Sequence, residues 1–584
     1  MPLLRYAAAL LSGFVAVPAL AYDPAPVASR GGMVVSAQTQ ASAAGVAVLE
    51  QGGNAIDAAI AVSYALAVTY PAAGNLGGGG FMTVRLADGT SRFLDFREKA
   101  PLAATPGMFL DAAGNVVPGR SSDSWMSVGV PGTPAGLEAA RLRWGVLPRA
   151  ASLAPAIRLA EEGFVLTAGD ATLMRLEAKG LARDAAAAAI FVPGGMPLAP
   201  GDRLIQSDLA HTLRALSDVG PDAFYRGAIA DAIVAASQAG GGILAKRDFE
   251  SYRTREMAPV ECTYRGYLVQ SAPPPSSGGV VMCEILNILE HDDLRALGFH
   301  SAAEIHLLVE AMRHAFHDRN SALGDPDFVD NPIGRLLDKR YAASVRASFD
   351  PERATPSADL HDGPIEHEGD NTTQISVVDR DGNAVSMTYT LNNWFGSRRV
   401  APGTGVLLND EMDDFTAKPG EPNGFGLVQG AANAVAPGKT PLSSMAPTIV
   451  SREGKTVLVI GSPGGPRIIT ITLEAIINMI DHGMTVQEAV AAPRIHHQML
   501  PDTVYIERFS LSPDTRALLE ARGYSFTESA PWGIAEGISI GAPRLVPSGF
   551  GTAQSLNVGV PELPRATRFG GHDPRGAAGA ARGE

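Results

Sequence analysis

An abrupt change of character at residue 372 constrains this chain more than any other feature. Pro351 to Asn371 holds Pro, Asp, Glu, Gly and His with few apolar residues, the composition of an exposed loop. From there the pattern alternates, with Thr373, Ile375 and Val377 on one face and Gln374, Ser376 and Val378 on the other. Arg380-Asp381-Gly382 predicts a three-residue hairpin loop with Gly382 at positive φ, and Ala384 to Leu391 is the returning strand. If 379 faces 383, then 372 faces 390, and the Thr390 hydroxyl lies beside Thr372.

A threonine hydroxyl is a weak nucleophile unless a base adjoins it. A threonine at a chain terminus carries its own base, an α-amine with pKa near ~8. Thr372 gains that amine only if the Asn371–Thr372 bond is cut. A Thr-Thr pair opening a strand is by itself an ordinary feature, so the rest of the chain decides.

Of the 584 residues, 46% are apolar and 18% charged, as in a soluble globular protein. A formal charge of -14 without a basic stripe argues against a nucleic-acid partner. Met1 to Ala21 has Arg5, an apolar run from Tyr6 to Leu20 and an Ala19-Leu20-Ala21 end, the pattern of a secretory signal peptide. No later stretch has the ~18 uninterrupted apolar residues of a membrane span. An exported, soluble, periplasmic or secreted protein is the expectation. Cys262 and Cys283 are expected as buried free thiols, with a bridge as the alternative that export would allow. No Cys/His cluster has metal spacing, and the adjacent His496-His497 cannot both face one ion in regular structure, so their role is structural.

Along the chain, Met33 to Ser36 reads as a strand, and Ser42 to Gln51 and Asn54 to Thr69 as helices. The second is capped by Asn54 with Asp57 and is apolar all round, hence buried. Gly74 to Gly80 has no phosphate-loop spacing; its glycines let backbone pack closely behind a strand. Phe81 to Leu86 and Ser91 to Arg97 form a second hairpin. Helical periodicity marks 134–144, 153–162, 207–216, 227–239, 280–290 and 302–319, with Pro273 to Gly279 a rigid loop before one of them. Strands are expected at 405–409, 445–450 and 456–461. A helix follows from Arg467 to Ile480, with Pro466 at its first position and Gly465 as cap. Pro564 to Glu584, rich in Gly, Ala and Arg, is expected to fray. The pattern gives an α+β fold.

Four groups have chemistry in common. Backbone N–H groups of Gly464 and Gly465 before a helix suit a developing oxyanion. Asn392, Glu411 and Asp414 suit an ammonium group. The hydroxyls of Ser443 and Ser444, with Arg97, suit a carboxylate. Each alone is a turn, a solvated acidic loop or a surface arginine. Together they describe one ligand: an α-amino acid head presenting an acyl carbon to a hydroxyl nucleophile.

The sequence resembles the γ-glutamyltransferase (glutathione hydrolase) family of self-cleaving N-terminal-nucleophile hydrolases. The resemblance runs from Gly31 to Asp573. It rests on Asn75 to Phe81, Asp95 to Glu98 with Ala100-Pro101, Pro273 to Gly279, Thr372-Thr373 with Ser376 to Val378, Thr390 to Asn392, Asn409 to Phe415, Pro441 to Pro447 and Ser462 to Arg467. It implies a four-layer αββα sandwich of two mainly antiparallel sheets between helices, and no metal or organic cofactor. Scission at Asn371–Thr372 is implied, giving a large subunit (22–371) and a small one (372–584) that stay together as a heterodimer. Thr372 then matches the nucleophile, Thr390 its hydrogen-bond partner, and Gly464 and Gly465 the oxyanion hole. Arg97, Ser443 and Ser444 match the glutamyl carboxylate binders, and Asn392, Glu411 and Asp414 the ammonium binders. The implied donors are glutathione and other γ-glutamyl compounds; the acceptors are water, amino acids and peptides.

Three positions differ from other members. Gln374 stands where many have His, and Glu411 where some have Gln, an alternative also seen within the family. Phe425 stands where some bacterial members carry a gating Tyr, within Pro419 to Gly430, which resembles a lid. The alternatives are a cephalosporin or β-lactam acylase of the same superfamily and an exported amino-acid binding protein.

Overall fold

The alternation that begins at Thr373 builds the centre of the molecule. In the computed structural model, which describes residues 25–359, 372–545 and 567–584, Thr373–Val378 pairs antiparallel with Ala384–Thr390. Thr373 lies opposite Tyr389, and the register continues unshifted to Val378 opposite Ala384. The expected alignment of 372 with 390 follows. Gly382 has φ 97° at the turn. Asp379 closes that turn by accepting the N–H groups of Asp381, Gly382 and Asn383, and it also accepts the Ala55 N–H of the neighbouring helix at 3.0 Å.

This hairpin is the middle of a seven-stranded sheet. Met33–Ser36 and then Ala580–Gly583 lie on one side, and Gly79–Arg85, Ser91–Asp95 and Arg255–Met257 on the other. A second seven-stranded sheet runs Val27–Ser29, Arg568–His572, Glu536–Ile540, Lys455–Gly461, Thr448–Arg452, Tyr267–Ser271 and Val260–Tyr264. All pairings in both sheets are antiparallel. Each sheet therefore combines strands from before and after residue 372.

The two faces of the hairpin have different neighbours. Ile375, Val377, Val385 and Met387 pack outward with the helix Ala55–Thr69, every residue of which is buried. Inward, small hydroxyl side chains bind the backbone of the second sheet: Ser376 Oγ donates to Glu536 O at 2.8 Å and Ser386 Oγ to Ile460 O at 2.9 Å. The far face of that second sheet packs on the helices Gly278–Leu289, Ala302–Ala322 and Arg467–Ile480. Helix, sheet, sheet, helix: the layers are those implied by the resemblance.

The Asn54–Asp57 capping box forms as read, and the expected helices occur with ends moved by a few residues. His496 and His497 are buried and bind Thr470 and Asp502, a structural use. Among the described residues no helix is long and apolar enough to cross a membrane and no cluster suits a metal ion. The segment 1–21 lies outside the described residues.

Three expectations are corrected. The cap of the Arg467 helix is Pro466, one residue later than Gly465, because Gly465 at φ 54° is not yet helical. The C-terminal stretch does not fray over 567–584: Arg568–His572 is an interior strand and Ala580–Gly583 an edge strand. Its glycines signal close approach, since a Cβ on Gly570 would lie 2.7 Å from the Met33 sulfur. Finally, Cys262 and Cys283 are bridged. The strand Val260–Tyr264 and the helix Gly278–Leu289 lie against each other and bring the two Cα atoms to 5.8 Å, within bridging reach.

A bridge spanning 21 residues restrains the unfolded chain. Replacing Cys262 with Ser and Cys283 with Ala together is expected to cost about 3 kcal/mol in denaturant unfolding, with the native fold retained by circular dichroism.

Candidate active site

Thr372 stands at the head of the central hairpin, 4% exposed. Its Oγ1 donates to Thr390 Oγ1 at 3.3 Å. Thr390 is fixed in turn: its Oγ1 accepts the Asn392 N–H at 2.9 Å, and its carbonyl accepts Asn75 Nδ2 at 2.8 Å. Asn75 Oδ1 accepts the Gly78 N–H and the Thr133 hydroxyl. The glycine run is needed here, because a Cβ on Gly78 would sit 2.0 Å from the Thr390 carbonyl oxygen. Asn371, across the expected scissile bond, lies outside the described residues.

Gln374 is wired into the same hairpin. Its Nε2 donates to Ser386 Oγ at 2.9 Å and its Oε1 accepts the Thr388 hydroxyl at 2.6 Å. Here the amide satisfies a buried polar position between the sheets.

One cavity gathers Thr372, Thr390, Gly465 and all six residues expected to hold an amino-acid head. Gly464 borders a second cavity with Tyr70, Trp394 and Trp532 instead. The serine pair is clamped by the Pro273–Gly279 loop: the Ser443 carbonyl accepts the Ser277 N–H and hydroxyl, and the Ser443 N–H donates to Pro275 O. Ser443 Oγ accepts the Met445 N–H at 3.1 Å. Asn392 Nδ2 donates to Asp410 O, so its Oδ1 is the end available to a donor. Phe425 is buried and lines the cavity. Its loop is pinched by a bridge between Pro422 and Val428, and its carbonyl accepts Gln498 Nε2 at 3.3 Å.

The acidic run is not a solvated loop. Glu411–Asp414 forms a short 3₁₀ turn in which Glu411 is 1% exposed. Arg97, equally buried, lies between two of its carboxylates. Nη1 is 2.6 Å from Glu411 Oε1, Nη2 donates to Asp414 Oδ2, and Nε donates to Pro441 O at 3.2 Å. Burial opposes the guanidinium charge, yet Glu411, Asp414 and Glu98 hold its pKa above the ordinary value.

Two further residues, Glu98 behind the cavity and Arg319 on its wall, have no role assigned from the sequence. Glu98 is wholly buried, and among the described residues no N–H or hydroxyl of another residue donates to its carboxyl oxygens, which meet the Glu411 carboxyl. Burial pushes it up to about 7 against the pull of Arg97, and its carboxyl adjoins that of Glu411, itself raised by burial. Two carboxyls so placed share a proton, because both cannot ionise cheaply. Arg319 also lines the cavity. A signal for it exists: it continues the Leu308–Met312–Ala315 stripe of its helix, where an apolar residue is expected.

Comparisons with known proteins agree in kind. The family model described as Gamma-glutamyltranspeptidase matches residues 41–549. The chain is 56% identical over 564 residues to a glutathione hydrolase proenzyme of Pseudomonas sp. (strain A14), covering 96% of each. It is 48% identical over 520 residues to the glutathione hydrolase proenzyme of Escherichia coli (strain K12), covering 88% of this chain and 89% of that one. Among solved structures it is similar to a cephalosporin acylase from Bacillus halodurans, with TM-score 0.81, 27% identity, and coverage of 96% of this chain and 97% of that one.

Because the folded pKa of Glu98 is raised from 4.5 to about 7, the fold binds this proton more tightly than the unfolded chain does. Its contribution is present below pH 4.5 and is lost as pH rises through 7. Glu98→Gln, a permanent stand-in for the protonated form, is expected to flatten the fall in Tm between pH 5 and pH 8. An unchanged slope would show that Glu98 is not the group titrating.

Proposed function

The chain belongs to the gamma-glutamyltranspeptidase family of enzymes, and from that premise we propose that it cuts itself at Asn371–Thr372 and then works as a glutathione hydrolase and γ-glutamyltransferase through Thr372. In the precursor the Thr372 hydroxyl attacks the Asn371 carbonyl. The acyl group moves from nitrogen to oxygen, and water hydrolyses the ester. The pieces 22–371 and 372–584 stay together as a heterodimer, since neither supplies a whole sheet.

The freed α-amine of Thr372 takes the proton of its own hydroxyl as that hydroxyl attacks the γ-carbonyl of the donor. Thr390 holds Oγ1 in place. The N–H groups of Gly464 and Gly465 receive the oxyanion, a contact whose loss costs roughly 10²–10³ in rate. The ammonium returns the proton to the departing amine, leaving a γ-glutamyl ester on Thr372. Water resolves it by hydrolysis, and an amino acid or peptide amine resolves it by transfer.

The observation that carries this reading is that Thr372 lines one cavity with side chains of both signs, Arg97 and the acids Glu411 and Asp414, complementary to an amino-acid zwitterion. Glu411, Asp414 and Asn392 Oδ1 take the donor's ammonium; Arg97, Ser443 and Ser444 take its α-carboxylate. The acylase reading is disfavoured by the same acids, since a glutaryl group brings no ammonium to neutralise them. Export fits the segment 1–21, and the Cys262–Cys283 bridge suits an oxidising compartment.

On a denaturing gel the purified protein is expected as two chains. Thr372→Ala is expected as one, with γ-glutamyl-p-nitroanilide turnover lowered more than ~10³-fold. An unbroken wild-type chain that still turns the anilide over would overturn the proposal, as would faster turnover of glutaryl than of γ-glutamyl amides.

A further inference from the structure

Two guanidiniums border the cavity, and they are treated differently. Arg97 has two carboxylate partners. Arg319, 1% exposed, has none among the described residues. It donates Nε to Ser277 Oγ at 2.9 Å, Nη1 to Asn320 Oδ1 at 2.9 Å and to Gln429 Oε1 at 3.3 Å, and Nη2 to Ser444 Oγ at 3.1 Å. All four acceptors are neutral. A buried cation whose hydrogen bonds all go to neutral oxygens, helped only through space by Asp414, which is itself bound to Arg97, is costly to keep, and an anion brought beside it recovers part of that cost.

The hydrogen bonds also say where that anion belongs. A serine hydroxyl has one proton and two lone pairs. Arg319 occupies a lone pair of Ser444, which leaves the Ser444 O–H to donate elsewhere, and Ser444 lines the cavity. Arg319 also donates to the Ser277 hydroxyl, which donates to the Ser443 carbonyl at 2.7 Å. One guanidinium thus polarises Ser444 directly and braces Ser443 through Ser277.

We propose that Arg319 is a positioning residue for the α-carboxylate of the bound amino-acid head: it aims and polarises the Ser444 hydroxyl and adds a second positive charge behind the serines, beside that of Arg97. This rests on the reading of the cavity as a γ-glutamyl site. It separates two roles. Arg97, held by Glu411 and Asp414, meets the carboxylate itself, and Arg319 backs the serines that hold it.

The test uses full-length, self-cleaved enzyme and two competitive inhibitors that differ by one group. L-glutamate has the α-carboxylate; 4-aminobutyrate is the same molecule with hydrogen in its place. Arg319→Met is expected to raise the inhibition constant of glutamate by ~10–100-fold, the range of a hydrogen bond to a charged group. That of 4-aminobutyrate should change less than ~3-fold. KM for γ-glutamyl-p-nitroanilide rises with the glutamate constant while kcat holds within ~3-fold, and Arg319→Lys restores part of the loss.

Equal losses for both inhibitors, or none for glutamate, would overturn the assignment. If Arg319→Met is insoluble or stays uncut, Arg319→Gln and Arg319→Lys decide by the same ratio, with Lys expected to discriminate better than Gln. Failure of the wild-type enzyme to turn over the anilide would count against the γ-glutamyl reading itself, a result distinct from failure of the Arg319 role.

Discussion

The backbone ladder between Thr373–Val378 and Ala384–Thr390 sets the position of everything chemical in this molecule. It is unbulged, it is flanked on both sides by further strands, and it ends where the Thr390 carbonyl meets Asn75 and Gly78. A strand pinned on both edges cannot slip without turning every side chain to the wrong face. Thr372, one residue beyond the ladder, inherits that rigidity although it borders a cavity. A reacting hydroxyl needs placement of this kind.

Charge is the second organising constraint. The cavity wall holds Arg97, Arg319 and Glu411 away from water, with Asp414 nearly so and Glu98 buried behind them, where unpaired charges are expensive. Arg97 is paired with the acids, Glu98 and Glu411 share a proton, and the hydrogen bonds of Arg319 all go to neutral oxygens. A zwitterion adds no net charge to this set but offers each end a better partner than it has. The small net cost of exchanging partners suits a site that must also release its product.

Much of this was legible in the sequence because it is local. Alternation, the Asp-Gly turn and the polar run before Thr372 give the hairpin and its register without any long-range information. The Asn54 cap and the apolar Ala55–Thr69 stretch give a buried helix for the same reason. What escaped depends on partners far away in the chain. Glycines in Arg568–His572 look like slack until Met33 and Ala581 are seen against Gly570. The Cys262–Cys283 pairing depends on a helix crossing a strand. Arg319 reads as the end of an amphipathic helix, and only the burial of its whole stripe makes its charge conspicuous. The Pro273–Gly279 loop read as a rigid lead-in; its grip on Ser443 involves residues well over a hundred positions apart.

The interleaving of the two sheets carries one more consequence. Met33–Ser36 and Gly79–Arg85 embrace the central hairpin, while Arg568–His572 lies between Val27–Ser29 and Glu536–Ile540. If the backbone is opened ahead of Thr372, as proposed, the strand order makes the two polypeptides a single cooperative body, and parting them would be the same event as denaturing them. Loss of structure then becomes a dissociation, governed by mass action. Dilution, irrelevant to an uncut precursor, would then be a destabilising agent for the proposed two-chain form.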